Sequence, residues 1–285
     1  MATRRTRCTN GTETEGDLHY HNGATDFDIG ERDTEAVLSD TSARSSRRTA
    51  ERAQRRAHRW KATNSNGPLE KLGYQRGYQV NVDVPARDWI NVTEFYDVIV
   101  FNTGHWWGFD KFPLDSPLLF FKDGEPIIPP LNLRNGLRVV LQHMVEFTER
   151  RYPSKVLKIW RTQSPRHFQG GDWNQNGSCV TSRLLQDSQI EQWFGLGKGG
   201  VNREAREVNA IIVQALKGSR FQLLNVTYLS EFRKDAHPAI WLGQKNAHVV
   251  WGQDCMHWCL PGLPDTWVDI LLAMVLQHLN TKQFC

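Results

Sequence analysis

The sequence predicts an α/β fold in which a parallel sheet is covered by helices on both faces. One observation and one rule of sheet topology lead to this prediction. Apolar runs typical of buried strands alternate with segments of helical period. The predicted strands are 98–101, 155–165 and 221–230, and the predicted helices are 136–152, 201–218 and 265–279. Strands that alternate with helices pair in parallel, because each helix carries the chain back across the sheet. Reactive groups are then expected in loops at the carboxyl ends of the strands.

Local patterns predict the first three elements. The strand at 98–101 is the apolar run VIVF, and a polar turn follows it. Helix 136–152 has an apolar face made by Leu137, Val140, Leu141, Met144, Val145 and Phe147. The strand at 155–165 ends at Ser164-Pro165, because a proline cannot donate to a ladder.

The last three elements complete the alternation. Helix 201–218 ends at Gly218, a residue type common just beyond a helix. The third strand, 221–230, is FQLLNVTYLS. The closing helix, 265–279, has Asp265 as its expected N-cap.

The composition changes near residue 60. Residues 1–59 contain no lysine, few large apolar side chains and many arginines and acids, so we expect a disordered Arg-rich tail. Its arginines could contact RNA or another anionic surface, but a solvated tail is the simpler interpretation. Residues 60–285 are enough for one substantial core. This part has no basic stripe with interleaved aromatic residues, so we expect no nucleic-acid partner.

Targeting signals give a mixed indication. No apolar run of about eighteen residues occurs, so we expect no membrane span, and the N-terminus does not have the pattern of a secretory signal. N-glycosylation patterns at Asn10, Asn91, Asn176 and Asn225 nevertheless lean toward a secretory compartment.

The segment DCMHWCLPG, 254–262, is the strongest chemical signal. Asp254 and His257 are three residues apart, a spacing that can place a carboxylate beside an imidazole. Such a pair is the orienter and base of acyl-transfer chemistry. The simpler alternative is a surface pair or a cap, but cysteines and a Pro-Gly turn around this pair favour a rigid loop.

The five cysteines allow two interpretations of the same loop. Cys255, His257 and Cys259 could bind zinc if a further ligand such as Cys179 were near. A disulfide from Cys179 to either Cys255 or Cys259 is the preferred interpretation, and the sequence leaves the pairing open. We therefore expect no metal.

Two other loops carry candidate groups. Asn102 and Gly104 follow the first strand and could donate to an oxyanion, although an Asn-capped turn is an equal alternative. Substrate contacts are assigned to His105, Trp106, Arg161, Arg166 and His167. Ser164 is interpreted as a turn cap rather than a nucleophile. Asp235 and His237 are interpreted as loop residues.

Four blocks, FYDVIVFNTGHWW, WRTQSPRHFQGGDW, YLSEFRKDAHP and DCMHWCLPGLPDTW, stand in the order and spacing typical of plant trichome birefringence-like proteins. The chain resembles this family from Trp60 to Leu279. The resemblance implies an SGNH-hydrolase-like fold and a polysaccharide O-acetyltransferase of the Golgi that uses a Ser-His-Asp triad. Asp254 and His257 match the D-x-x-H block of that triad. The implied partners are a polysaccharide acceptor, such as xylan or mannan, and an acetyl donor, with no cofactor.

The chain departs from the family pattern at its N-terminal side. No Gly-Asp-Ser block occurs, since Gly16-Asp17 precedes Leu18 and Gly171-Asp172 precedes Trp173. We expect the family's membrane helix and its first strand or strands to be missing too. We expect an N-terminally truncated member, or an incomplete gene prediction, in which one edge of the sheet is left open. An inactive glycan-binding remnant that uses Trp106, Trp107 and Trp173 is one alternative function, and an acetyl esterase is another.

Overall fold

The structure is a computed structural model that describes residues 37–38, 61–64, 72–74, 76–85, 90–112, 114, 116–197, 200–240 and 253–283. The predicted disordered tail, apart from residues 37–38, lies outside the described residues. The chain divides into two compact units. Of the described residues, those within 37–163, 204–226 and 274–283 form what we call the sheet unit, and those within 164–203 and 227–273 form the histidine unit.

The described part of the sheet unit contains two four-stranded sheets. The strands are β1 (Val37–Leu38), β2 (Lys61–Asn64), β3 (Arg76–Asn81), β4 (Val98–Phe101), β5 (Leu118–Lys122), β6 (Glu125–Pro126), β7 (Leu157–Arg161) and β8 (Phe221–Leu224). The central sheet has the order β1-β4-β7-β8, and its β4, β7 and β8 strands are parallel. This arrangement confirms the predicted α/β fold with a parallel sheet.

The sequence analysis expected one edge of the sheet to be left open, and at β4 the structure shows a short partner strand. β1 pairs antiparallel with β4, with Val37 opposite Val100 and Leu38 opposite Ile99. An unpaired strand edge presents free N–H and C=O groups, and a short extended segment of any sequence can satisfy them.

The second sheet, of order β2-β3-β5-β6, was not predicted. β3 has the sequence RGYQVN, in which polar residues interrupt the apolar signal. β5 is buried on both sides, since Phe120 lies in the main core and Phe121 packs with Leu72 and Tyr74.

Five α-helices are described: α1 (Leu133–Arg151), α2 (Asp187–Phe194), α3 (Glu204–Leu216), α4 (Thr227–Glu231) and α5 (Leu263–Gln283). α1 and α3 contribute Leu137, Val140, Ile211 and Ile212 to one core with Trp160 of β7. None of the helices in the described part of the chain is both long enough and apolar enough to cross a membrane.

Several boundaries differ from the prediction: β7 ends at Arg161 rather than at Ser164-Pro165, and α1 begins at Leu133 rather than at residue 136. Two further differences have a visible cause. The strand expected at 221–230 stops at Leu224, because the Val226 N–H leaves the ladder and donates to Thr162 Oγ1 at 3.0 Å. α4 then begins at Thr227. Asp265 is the third residue of α5 rather than its N-cap, and its carboxylate accepts the Gly262 N–H at 2.7 Å. This bond is the second half of a capping box.

Gly136 of α1 provides a test of this packing. A Cβ at Gly136 would lie 1.9 Å from the buried ring of Phe120. Alanine normally stabilises a helix interior by about 0.5–1 kcal/mol relative to glycine, but overpacking a core costs about 1–3 kcal/mol. We therefore expect Gly136→Ala to lower the free energy of unfolding in urea titrations. Gly197→Ala, where a Cβ would meet open space, is the control, and equal stability of the two variants would contradict this packing.

Candidate active site

The loop that carries the predicted acid and base is held from several sides within the histidine unit. A disulfide joins Cys255 to Cys179, whose Cα atoms are 5.7 Å apart. Asp254 exchanges two main-chain hydrogen bonds with Ala239, both of 2.9 Å. The Cys255 carbonyl accepts the His167 N–H at 2.9 Å. The main chain on either side of the acid is therefore fixed by covalent and hydrogen bonds.

Asp254 organises the turn that leads to His257. Its Oδ1 accepts the main-chain N–H groups of Met256 at 3.1 Å and of His257 at 2.9 Å. Its Oδ2 lies 2.9 Å from His257 Nδ1. Because an ionised carboxylate can only accept, Nδ1 carries the proton of this bond and Nε2 of the neutral ring keeps its lone pair. The imidazole can then accept a proton at Nε2.

The two side chains differ sharply in exposure. The His257 side chain is 78% exposed, whereas that of Asp254 is 20% exposed. Burial opposes ionisation of Asp254, but the hydrogen bond to His257, the charge of an imidazolium there and the two main-chain donors outweigh burial and hold the pKa of Asp254 below its ordinary value. An accessible base thus stands over an ionised, oriented carboxylate.

A layer of aromatic residues lies behind the turn. His237 Nδ1 is 2.7 Å from the His257 carbonyl oxygen, and the His237 ring lies 4.1 Å from that of Trp258. Trp258 Nε1 donates to Ser164 Oγ at 3.1 Å. Ser164 is buried, and this contact favours its structural role over a nucleophilic one. The loop interpretation of His237 also fits this environment.

The predicted substrate contacts of Arg166 and His167 are not supported. Arg166 is buried, donates to the Val201 carbonyl at 3.1 Å and lies 3.3 Å from the Asp172 carboxylate. His167 is 0% exposed, and both of its ring nitrogens contact protein atoms. The sequence pattern identified polar residues but could not show that their partners lie inside the fold.

The sheet unit collects the other candidates at the carboxyl ends of β4 and β7. Asn102 is buried after β4, and Gly104 has extended backbone that passes close to Gln163. Gln163 Nε2 donates to His105 Nδ1 at 3.0 Å. The Gln163 main chain is held in turn by the Asn209 side chain of α3. Sequence reasoning missed Gln163 and Asn209, and the assignment of Asn102 and Gly104 to an oxyanion stays a prediction.

The tryptophans named for sugar binding lie in different environments. Trp107 is 2% exposed, donates to Thr103 Oγ1 at 2.8 Å and stacks near Phe120, so its predicted role as a sugar platform is wrong. Trp106 is half-buried with Lys111 5.7 Å from its ring centre. Trp173 is exposed, and Arg161 is half-buried at the end of β7.

The cysteine question left open by the sequence is answered by the Cys179–Cys255 disulfide, and Cys259 is disulfide-bonded as well. The sulfur atoms of the zinc alternative are therefore already used. Among the described side chains, no group of three or more His, Cys, Asp or Glu residues is arranged to hold a metal ion.

Comparison with known proteins places these observations in a family context. Residues 53–274 match PC-Esterase, described as the GDSL/SGNH-like acyl-esterase family found in Pmr5 and Cas1p. The chain is similar to trichome birefringence-like protein 12 of Arabidopsis thaliana, with 55% identity over 79% of the chain and 55% of that protein. It is 46% identical to trichome birefringence-like protein 13, over 75% of the chain and 52% of that protein. The chain thus spans about half the length of these curated relatives.

The Cys179–Cys255 disulfide predicts a measurable stabilisation. The two cysteines are separated by 76 residues, and a disulfide that constrains the unfolded chain typically stabilises a protein by roughly 2–4 kcal/mol. The double variant Cys179→Ser/Cys255→Ser is expected to lose that amount in denaturant titrations. Exchange of Ser188 for alanine, on the exposed surface of α2, is the control. Unchanged stability of the double variant would show that the disulfide does not constrain this unit.

The Asp254–His257 contact predicts a shift in titration. Because the pKa of Asp254 is lowered in the fold, its carboxylate stabilises the protein above the unfolded pKa of about 3.9, and this contribution is lost as the pH falls through the folded pKa. His257→Ala removes the main lowering contact while burial remains, so the pKa of Asp254 should rise. Carboxyl-carbon NMR titration measures this directly, with His143→Ala in α1 as the control. A pKa that is equal in both variants would contradict the geometry.

Proposed function

We propose that this chain takes part in moving acetyl groups onto hydroxyls of a cell-wall polysaccharide. The chain belongs to the GDSL/SGNH-like acyl-esterase family found in Pmr5 and Cas1p and, within it, to the trichome birefringence-like proteins. The observation that carries the proposal is the ordered contact between Asp254 Oδ2 and Nδ1 of the exposed His257 imidazole, at 2.9 Å. Base and orienter are in the arrangement that serine acyl transfer requires.

In this reaction His257 moves protons at Nε2. It first takes the proton of a serine hydroxyl while the serine oxygen attacks the acetyl carbonyl, and it gives that proton to the departing donor oxygen. It then takes the proton of the sugar hydroxyl that attacks the acetyl-serine, and returns it to the serine. Asp254 orients the ring and stabilises the imidazolium in both halves. The serine of a Gly-Asp-Ser block is not among residues 1–285, so the proposed reaction requires one from beyond this sequence.

Hydrolysis of acetyl esters is the second candidate, and it rests on the exposure of His257. A side chain that is 78% exposed is open to water as well as to a sugar hydroxyl. The same proton transfers would then release acetate. The two reactions differ only in the acceptor, so the fate of the acetyl group separates them.

A secretory, Golgi-type location is proposed on two supports. Disulfides such as Cys179–Cys255 persist in oxidising compartments. The asparagines of three N-glycosylation patterns, Asn91, Asn176 and Asn225, are exposed. Treatment of the plant protein with an N-glycosidase should lower its apparent mass if it passes through that pathway.

The test uses the protein translated from the full-length transcript, with an acetylated donor and xylan or mannan oligosaccharides. His257→Ala should lower acetyl transfer by at least about a hundredfold, because a positioned general base contributes about 10²–10⁴-fold. Mass spectrometry of the sugar and an acetate assay identify the acceptor. The control is His143→Ala, a histidine of α1 that pairs with Glu146.

The outcomes separate the candidate functions. Acetylated sugar supports the transferase, and acetate formed without it supports the esterase. Transfer that survives His257→Ala would refute the role of the base. If the protein binds oligosaccharide but turns nothing over, the glycan-binding alternative replaces both enzymes.

A further inference from the structure

Two buried histidines form a chain behind the His257 turn. His167 Nδ1 lies 2.7 Å from His237 Nε2. The outer nitrogens meet main-chain carbonyls, since His237 Nδ1 is 2.7 Å from the oxygen of His257 and His167 Nε2 is 2.8 Å from that of Glu231. His167 is 0% exposed and His237 is 5% exposed. All four ring nitrogens are therefore engaged inside the histidine unit.

The number of protons in this chain is constrained by its partners. A carbonyl oxygen can only accept, so each outer contact requires an N–H on the imidazole. The contact between the rings requires a third proton. Two neutral imidazoles supply two protons, so one of the three contacts is left with two facing lone pairs unless the pair gains a proton.

The surroundings keep the pair neutral at pH 7. Burial lowers the pKa of His167 to about 3 and that of His237 to about 4, because it withdraws a cation from water. Lys234 and His257 also oppose a charge on the pair. The carboxylates of Asp235 and Asp254 act in the other direction, and both act on His237. His237 is the ring on which these carboxylates act, and its Nδ1 contacts the main chain of the turn that contains Asp254.

We propose that His167 and His237 are positioning residues for His257. His237 donates its Nδ1–H to the His257 carbonyl, and His167 donates its Nδ1–H to His237 Nε2. His167 thereby fixes His237 in the tautomer that holds the turn. The contact that lacks a proton is then the one between His167 Nε2 and the Glu231 carbonyl, which does not involve His257. The Asp254 carboxylate holds the amide and ring of His257, while the pair holds its carbonyl, so the residue is fixed at three points. The catalytic meaning of this pair rests on the proposed function.

The direct test is the tautomer of His237 in the unmutated protein. Long-range ¹H–¹⁵N NMR of the imidazole rings at pH 7 should show a protonated Nδ1 on His237. A proton on its Nε2 with none on Nδ1 would overturn the proposal, because the ring would then present a lone pair to the His257 carbonyl. In His167→Phe the Nε2 of His237 loses the donor that lies 2.7 Å away in the native fold, so the ¹⁵N resonance of Nε2 should shift, and an unchanged Nε2 resonance would equally contradict the chain. This arm is independent of enzymatic activity.

Kinetics test the consequence for the base. His237→Phe keeps a ring beside Trp258, 4.1 Å away in the native fold, but removes both hydrogen bonds. It should lower kcat by about tenfold to a hundredfold with little change in KM, since misplacing a catalytic group by about 1 Å costs up to that factor. His237→Asn, whose amide can replace Nδ1–H, should recover part of the loss. An equal loss of kcat in His237→Phe and His237→Asn would show that His237 acts through packing and not through its hydrogen bonds. If the native protein has no turnover, the proposed function fails while the NMR result still decides the positioning.

Discussion

The turn at residues 254–257 depends on the carboxylate of Asp254, whose two oxygens take three hydrogen bonds from Met256 and His257. Oδ1 folds the main chain into a turn, and Oδ2 then meets the imidazole that the turn presents. The same contact keeps Asp254 ionised despite its partial burial. Local turn formation and the orientation of a base are thus one interaction. Such a contact is useful only if the turn itself cannot move, which explains the disulfide and the ladder bonds to Ala239 on its flanks.

The sequence predicts the central sheet well because buried parallel strands have continuous apolar runs, and VIVF at β4 is such a run. The second sheet escapes prediction because β3 alternates glycine and polar residues with apolar ones, and its stability comes from the parallel partner β5. Residues 221–230 show where the periodicity of apolar residues fails to locate the end of a strand. An apolar strand and a short helix share one segment, and only the Thr162 hydroxyl, distant in sequence, shows where the strand ends.

The site is predictable where its geometry is local and unpredictable where it is not. Asp254 and His257 are three residues apart, so spacing alone indicates that they can meet. His167 and His237 are 70 residues apart and come together only through the fold. Sequence analysis therefore assigned His167 to the substrate, although it is fully buried. Gln163 carried no signal either, because its contact with His105 arises from the adjacency of β4 and β7.

The most direct test of the central claim, that Asp254 and His257 act as one unit, is a double-mutant cycle on acetyl transfer. Rates are measured for Asp254→Asn, His257→Ala and the double variant, each in the protein translated from the full-length transcript. The effects on the rate of substituting members of one catalytic unit do not add, so the double variant should be about as slow as His257→Ala alone. If the two losses instead multiply, the residues contribute independently, and the orienter-and-base account of this site is contradicted.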